Sequence, residues 1–297
     1  MKFFKKRRSG HQGETISTLI QNLIADIKNP DAHMRLASEY ASAGRPALAH
    51  AIESSASFLQ GAERALDGQY PVVKNDDLLS LNHNQYYRFL TLQQAVRDMA
   101  QGLEHPSLLD IGGGGGELAS FLPECEYFLA DPGTNGISSD HVSFFKKPFD
   151  FVVACHVLEH IPQDLRWDFL DGLVALSQHG LVLLNPFHND FSPQIEGLEL
   201  VVDLIGADWA KEHLQFTLPK QSDVEDWAAA RGHSISVEVN GTQPFSLVAE
   251  FNDFYMSKLQ AQSDRQKINR FLNKTISKNI DNKEIPTALL VKIVPKT

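Results

Sequence analysis

Residues 108–117 read LLDIGGGGGE, and this stretch decides the fold. An apolar segment ends in an acid, a run of glycines follows, and a helix-like segment comes directly after it. Glycine lacks a Cβ atom, so such a run makes a turn whose backbone can lie directly against a ligand. The stretch therefore predicts a strand, a ligand-binding turn and a helix at the start of an α/β sheet.

Two glycine patterns can follow the first strand of such a sheet. The dinucleotide pattern G-x-G-x-x-G/A needs a small third residue, but that position holds Glu117 when counted from Gly112 and Leu118 when counted from Gly113. A glycine-rich stretch can also form a flexible turn that binds no ligand. The pattern D-x-G-x-G-x-G fits the chain through Asp110, Gly112, Gly114 and Gly116.

Strand-like and helix-like segments alternate from residue 107 onward. The strand-like segments SLLDIG, EYFLAD, FDFVVAC and GLVLLNPF are separated by the helix-like GELASFL and residues 165–177. This alternation predicts a doubly wound, mostly parallel sheet with helices on both faces. Near the C-terminus, HSISVEV and TALLVKIV bracket a helical insertion at about 252–278. Ser222 and Glu225 predict a capping box for the helix before HSISVEV.

The chain before residue 81 is predicted to form an α-helical extension. Residues 1–13 are basic and predict a disordered tail, whereas residues 14–28 place apolar side chains at helical spacing up to Pro30. The run NPDAHMRLASEYASAGRPALAHAIE resembles a single tetratricopeptide repeat. Because one such unit cannot bury its apolar face alone, the extension (14–80) must pack on the main domain (81–297), a protein partner or a second copy. An ordinary helical cap and a peptide-binding module both remain open.

Bulk properties exclude several classes of protein. The 297 residues are 42% apolar and carry a formal charge of −10, which suits a full α/β core and repels phosphate backbones. Nucleic acid is therefore not an expected partner. Two cysteines are too few for a disulfide framework or a zinc site, and no apolar run reaches the ~18 residues of a transmembrane span. We expect a cytoplasmic protein with at most weak lipid contact through its basic N-terminus.

With these motifs the chain resembles the class I S-adenosylmethionine-dependent methyltransferases, which have a Rossmann-like sheet. The resemblance implies that the glycine turn contacts the methionine and ribose parts of S-adenosylmethionine, and that Asp110 fixes the turn and its ligand contacts. It also implies that Asp131, which ends EYFLAD, accepts hydrogen bonds from the ribose hydroxyls. The segments FDFVVACHVLEHIP, NPF and EHLQFTLP extend the resemblance along residues 107–294. They look most like a bacterial subgroup, type 11-like, that is associated with glycan biosynthesis.

One segment departs from the family pattern. Only residues 132–149 lie between Asp131 and Asp150, which leaves little room for the usual helix and third strand. The family commonly carries an acid there that contacts adenine. Asp140, with His141 beside it, is the nearest candidate, and a solvated loop acid is an equal alternative.

The loop after FDFVVAC carries the catalytic candidates His156, Glu159 and His160. A histidine suits proton removal from a hydroxyl near neutral pH. His156, at the junction of strand and loop, is therefore the predicted base or acceptor-orienting group, and Glu159 and His160 shape the loop. His188, after the next strand, is a further titratable candidate. A metal site is not expected, because Glu159 and His160 are adjacent and such sites need three or four convergent ligands.

Methyl transfer from a sulfonium is an in-line displacement, in which the protein aligns donor and acceptor and excludes water. We expect O-methylation of a small polar or sugar-containing acceptor, small molecule or glycan, with S-adenosylmethionine as cofactor. The alternative is a catalytically inactive, cofactor-binding regulatory or scaffolding protein that acts through its N-terminal helices. A dinucleotide-dependent oxidoreductase is disfavoured by Glu117.

Overall fold

Six strands form one sheet in the computed structural model, which describes residues 14–59, 78–138, 141, 145, 147–189, 193–275 and 280–296. The strands are β1 Ser107–Ile111, β2 Glu126–Ala130, β3 Phe149–Cys155, β4 Ser177–Asn185, β5 Ser234–Asn240 and β6 Ala288–Val294. Their order across the sheet is β2-β1-β3-β4-β6-β5. Strands β1 to β4 pair in parallel, whereas β6 is antiparallel to both β4 and β5. The predicted mostly parallel sheet is confirmed.

The described α-helices precede the first strand or lie between the strands in sequence. They are α1 Ile16–Ala25, α2 Pro30–Ser42, α3 Pro46–Leu59, α4 His83–Met99, α5 Arg166–Ala175, α6 Pro193–Ile205, α7 Asp208–Phe216, α8 Gln221–Arg231, α9 Gln243–Lys258 and α10 Gln262–Thr275. Helix α4 packs on β3, β4 and β6, α5 packs on β4, and α8 packs on β5. None of the described helices combines the length and the apolarity that crossing a bilayer requires.

The segment after the glycine turn does not form the predicted α-helix. Glu117–Ser120 is a short 3₁₀ turn instead. Pro123 has no amide hydrogen and disfavours a helical conformation at Leu122, so too few residues remain after Gly116 for a stable helix. The glycine turn is therefore connected to β2 by a short irregular segment.

The predicted capping box at Ser222 and Glu225 is also wrong. Helix α8 already begins at Gln221, and its N-cap, Lys220, makes no side-chain capping hydrogen bond. Lys220 is held in extended conformation by a parallel bridge to His188. This long-range pairing moves the start of the helix upstream of Ser222, so Ser222 lies within the first turn.

The predicted insertion at about 252–278 lies in the segment between β5 and β6. That segment holds α9 and α10, and the first of these helices already begins at Gln243. Helix α9 packs on α4, α6 and α10. The segment therefore places a helix beside the carboxyl ends of the central strands.

The N-terminal helices α1–α3 share one apolar core with the sheet. Helix α3 packs on β2, the edge strand of the sheet. The Ser55 hydroxyl donates to the carbonyl of Leu129 at 2.7 Å and accepts from the Leu129 amide at 3.3 Å. An edge strand leaves such backbone groups unpaired. Helix α3 therefore covers the outer edge of β2, the strand that precedes residues 132–149.

Candidate active site

The glycine turn follows β1 and is tied to the chain that follows β2. Gly112 has a φ of +68°, and a Cβ atom there would lie 2.5 Å from Cγ2 of Val157. The Gly114 amide donates to Oδ2 of Asp131 at 2.9 Å, and the Gly114 carbonyl accepts from Oγ1 of Thr134 at 2.6 Å. The turn thus presents bare backbone at the carboxyl end of the sheet, where doubly wound sheets bind ligands.

Asp110 lies beneath the turn and does not face the cavity beside it. The residue is buried, Oδ2 accepts a hydrogen bond from the Tyr127 hydroxyl at 2.5 Å, and Oδ1 has no partner among the described residues. Burial raises the pKa of Asp110 to about 7; the Tyr127 hydrogen bond opposes the rise, while the charges of Asp131 and Glu117 add to it. Asp110 therefore supports the turn from within the core.

A cavity of 380 Å³ opens beside the turn. It is lined by Gly112 and Asp131 at the ends of the first two strands and by His156 and His160 in the loop after β3. Oδ1 of Asp131 has no hydrogen-bond partner in the described part of the chain, so this oxygen is available to a ligand. The other lining residues are Ile111, Ala130, Pro132, Ile137, Ser138, Val157, Ile161 and Glu212. Gly114 and Gly116 belong to the turn without lining the cavity.

The adenine candidate Asp140 lies outside the described residues. Its neighbour His141 is described, and Nδ1 of His141 accepts from the Ser138 amide at 3.1 Å. Ile137 and Ser138 line the cavity, and neither was singled out from the sequence.

His156 begins the loop after β3 in a left-handed conformation, with a φ of +55°. Its Nδ1 lies 3.2 Å from Oε1 of Glu159, and its Nε2 has no hydrogen-bond partner among the described residues. Burial lowers the pKa of His156, the positive charge of Arg88 lowers it further, and Glu159 opposes both effects. At neutral pH His156 is therefore an uncharged imidazole with one free nitrogen, which is the state that a general base needs.

Glu159 is fully buried under the loop. Its Oε2 accepts a hydrogen bond from the Asn185 side chain at the end of β4, and its Oε1 lies 3.6 Å from Nε2 of His213. Burial alone would raise the pKa of Glu159, but the hydrogen bond with His156 and the charge interactions with both histidines lower it on balance. Glu159 thus anchors the loop to β4 and joins two histidines.

Helix α7 brings two further polar side chains to this loop. Nδ1 of His160 lies 2.6 Å from Oε2 of Glu212, and the rings of His160 and His213 are 4.9 Å apart. His213 is buried, and burial lowers its pKa to about 4 although Glu159 opposes the shift. The loop and the helix therefore form one polar cluster.

Arg166 ties the loop to the end of α7. Its buried guanidinium donates to the carbonyls of Ile161 at 3.0 Å, Phe216 at 3.1 Å and Thr217 at 2.6 Å. Hydrogen bonds to a charged group are stronger than neutral ones. Arg166 therefore holds α7 at a fixed distance from the loop that carries His160.

A second cavity, of 290 Å³, shares His156 and His160 with the first. Helices α4, α6, α7 and α9 contribute most of its walls. Within α4, Nε of Arg88 donates to the Asn84 carbonyl at 3.2 Å, and its terminal nitrogens have no partner among the described residues. His188 is exposed and lines neither cavity. The polar lining residues are His83, Asn84, Tyr87, Arg88, Gln194, His213, Asn240, Gln243, Ser246, Glu250 and Thr287.

Sequence reasoning missed the helical side of the site. EHLQFTLP was recognised as part of the resemblance, yet its Glu212 and His213 were given no role. Arg88 lies in α4, where the sequence predicted no functional residue. A signal existed in both places, because a charged residue beside an apolar helix face is a candidate for a cavity wall.

The geometry defines a class of protein: an α/β fold with one cavity at the carboxyl ends of its first strands and a second cavity beside it. A family model described as a methyltransferase domain matches residues 83–234, just over half of the chain. The chain therefore belongs to this family and is a class I S-adenosylmethionine-dependent methyltransferase.

Solved structures with a similar fold were also found. The plantazolicin methyltransferase BamL, in complex with a triazolic desmethylPZN analog and SAH, is 12% identical with a TM-score of 0.47, covering 86% of this chain and 99% of that chain. The magnesium protoporphyrin IX methyltransferase ChlM from Synechocystis PCC 6803, with bound SAH, is 14% identical with a TM-score of 0.41, covering 77% and 90%. No curated protein matches the chain significantly in sequence.

Proposed function

We propose that the chain transfers a methyl group from S-adenosylmethionine to a hydroxyl oxygen of a small polar or sugar-containing acceptor, either a small molecule or a short glycan. The observation that carries this proposal is the shared wall between the two cavities. His156 and His160 line both, so a donor in the 380 Å³ cavity and an acceptor in the 290 Å³ cavity meet at these side chains.

The residues of the first cavity fit the cofactor. Gly112 lines the cavity with bare backbone, because a Cβ there would collide with Val157, and the unpaired Oδ1 of Asp131 suits ribose hydroxyls. Within this proposal Gly114 and Gly116 shape the turn, Asp110 supports it, and Asp140 stays the adenine candidate. Bound there, S-adenosylmethionine supplies the electrophilic methyl group.

The second cavity suits a small and polar acceptor. Its volume lies at the lower end of small-molecule sites. Free guanidinium nitrogens of Arg88 and the carboxyl group of Glu250 face it, and burial raises the pKa of Glu250 while the charge of Arg88 opposes the rise. Such a mixture of donors and acceptors favours a molecule rich in hydroxyl groups.

His156 is the proposed base or acceptor-orienting group. Its uncharged Nε2 has no partner in the described chain, and Glu159 holds Nδ1 on the opposite side of the ring. Glu159 and His160 fix the loop, so the His156 side chain is already oriented when the acceptor binds.

The test is methyl transfer from labelled S-adenosylmethionine to a panel of monosaccharides, short glycans and hydroxy acids, with amines of similar size for comparison. His156→Asn keeps a residue that tolerates positive φ and should lower turnover by roughly 10²-fold or more while cofactor affinity changes little. His188→Asn, outside both cavities, is the matched control. Methylation of amines alone, or equal turnover in His156→Asn and the parent, would contradict the proposal.

The alternative, an inactive scaffolding protein that acts through its N-terminal helices, has less support, because α1–α3 bury their apolar faces on the chain's own sheet. A second copy or protein partner at these helices is a narrower proposal. Ile24 and Met34 stay 50% and 49% exposed and would be the residues covered. Light scattering of the purified chain measures whether copies associate. The division into an extension (14–80) and a cytoplasmic catalytic domain (81–297) also stays a proposal.

A further inference from the structure

Three side chains at the junction of the two cavities converge on one point. Glu159, His160 and His213 each offer a ligand atom, and these atoms lie within 4.8 Å of one another. Oε1 of Glu159 lies 3.6 Å from Nε2 of His213 and 3.2 Å from Nδ1 of His156, and Nε2 of His213 has no hydrogen-bond partner among the described residues. Buried polar atoms are almost always satisfied. Nε2 of His213 therefore faces the Glu159 carboxylate without a partner that would satisfy it.

The neighbours of this cluster orient its free atoms. With Nδ1 of His160 donating to Oε2 of Glu212 at 2.6 Å, the lone pair of the His160 ring is on Nε2. Metal-binding histidines usually make such a hydrogen bond to a carboxylate. Asn185 occupies Oε2 of Glu159, and Oε1 faces both His156 and His213. The outer partners that a metal site needs are thus in place.

We propose that Glu159, His160 and His213 bind a divalent first-row transition metal ion. Two imidazoles and one carboxylate are the ligand set of open zinc and iron(II) sites, whereas magnesium and calcium prefer oxygen ligands alone. Three protein ligands leave coordination positions free. Because His160 and His213 line the acceptor cavity, these positions are accessible from it.

The chemical consequence rests on the proposed function. The ion acts as a Lewis acid on the acceptor hydroxyl and lowers its pKa. The hydroxyl proton passes to His156, the oxygen lone pair forms the bond to the methyl carbon, and the carbon–sulfur bond pair goes to sulfur. S-adenosylhomocysteine leaves as a neutral thioether. The ion thus makes the hydroxyl easier to deprotonate, so a weaker base at His156 is sufficient.

The test titrates the chelator-treated full chain, without a histidine tag, with Zn²⁺ by calorimetry and with Co²⁺ by visible absorption. We expect one equivalent of each ion at one site. Glu212→Gln, at a half-exposed position, should weaken binding by about 10–100-fold because a neutral amide oxygen accepts a weaker outer hydrogen bond from His160 than the carboxylate does, and His213→Ala by more. His179→Ala removes a half-exposed histidine at the opposite end of β4 and should change nothing.

Absence of saturable binding, or equal affinity in the parent, Glu212→Gln and His213→Ala, would overturn the site. Melting temperature and S-adenosylhomocysteine affinity are measured for each variant, and Glu212→Gln keeps the test valid if His213→Ala does not fold. The readout needs no acceptor and no turnover. Failure to methylate any hydroxyl would therefore refute the proposed function alone, and failure to bind metal would refute this inference alone.

Discussion

At the scale of single residues, the two acids of the cofactor side act from different places. Asp131 reaches the cavity, and one of its oxygens holds the Gly114 amide. Asp110 is buried, lies outside the cavity and contacts the Tyr127 hydroxyl. Substitution of Asp131 should therefore change affinity for the cofactor, whereas substitution of Asp110 should change the pH dependence of folding.

Asp131→Ala is expected to weaken S-adenosylhomocysteine binding by about 10- to 150-fold, which corresponds to ~1.5–3 kcal/mol for hydrogen bonds to a charged group. Asp131→Asn keeps one oxygen for the Gly114 amide and should lose less. Calorimetry measures both, with the exposed Asp203→Ala as the control outside the cavity. Unchanged affinity in Asp131→Ala would remove this residue from the cofactor site.

Asp110 should make the chain less stable as the pH rises. Its folded pKa of about 7 lies above the ~3.9 of an unfolded aspartate, so between these values the folded state holds the extra proton and stability falls with rising pH. The slope is at most ~1.4 kcal/mol per pH unit.

Asp110→Asn removes this titration and keeps an oxygen for Tyr127. Relative to the parent, the variant should gain stability from pH 5 to about pH 7, and the gain should level off toward pH 8 as Asp110 ionises in the folded state too. Thermal unfolding of both cofactor-free chains across this range gives the difference in melting temperature at each pH. A difference that stays constant would show that Asp110 does not titrate as expected.

At the scale of elements, α3 covers the sheet edge at β2, the strand after which residues 132–149 leave little room for the usual helix and third strand of the family. Ser55 satisfies both backbone groups of Leu129 that point away from β1. Ser54 is also buried, but its hydroxyl has no partner among the residues described. Ser55 and Ser54 therefore form a matched pair, because loss of the hydroxyl should destabilise the chain at Ser55 but not at Ser54.

Ser55→Ala should destabilise the chain by about 1–3 kcal/mol, because the Leu129 amide is left buried without an acceptor. Ser54→Ala should be neutral or stabilising, since it removes a hydroxyl that is buried without a partner. Thermal unfolding at one pH compares them. Equal losses in both variants would mean that helix packing, and not the hydrogen bonds to β2, decides the stability of this edge.

At the scale of the whole molecule, two different parts of the chain build the two cavities. Strand ends and their loops line the first cavity, whereas α4, α6, α7 and α9, which come from distant stretches of sequence, line most of the second. The net charge of −10 makes the surface acidic overall, yet Arg88 points unpaired terminal nitrogens into the acceptor cavity. The net charge therefore predicts which molecules the surface as a whole repels, but not which molecule the second cavity binds.

The sequence alone determined the sheet and the glycine turn after β1, because their causes are local. A Cβ-free turn at Gly112, an acid at the end of the next strand and continuous apolar runs in β3 and β4 depend on residues next to one another in the chain. Tertiary structure alone decided the start of α8 and the meeting of His213 with Glu159. Helical spacing shows which face of a helix is buried, but the loop that this face meets is chosen by side-chain packing between elements far apart in sequence.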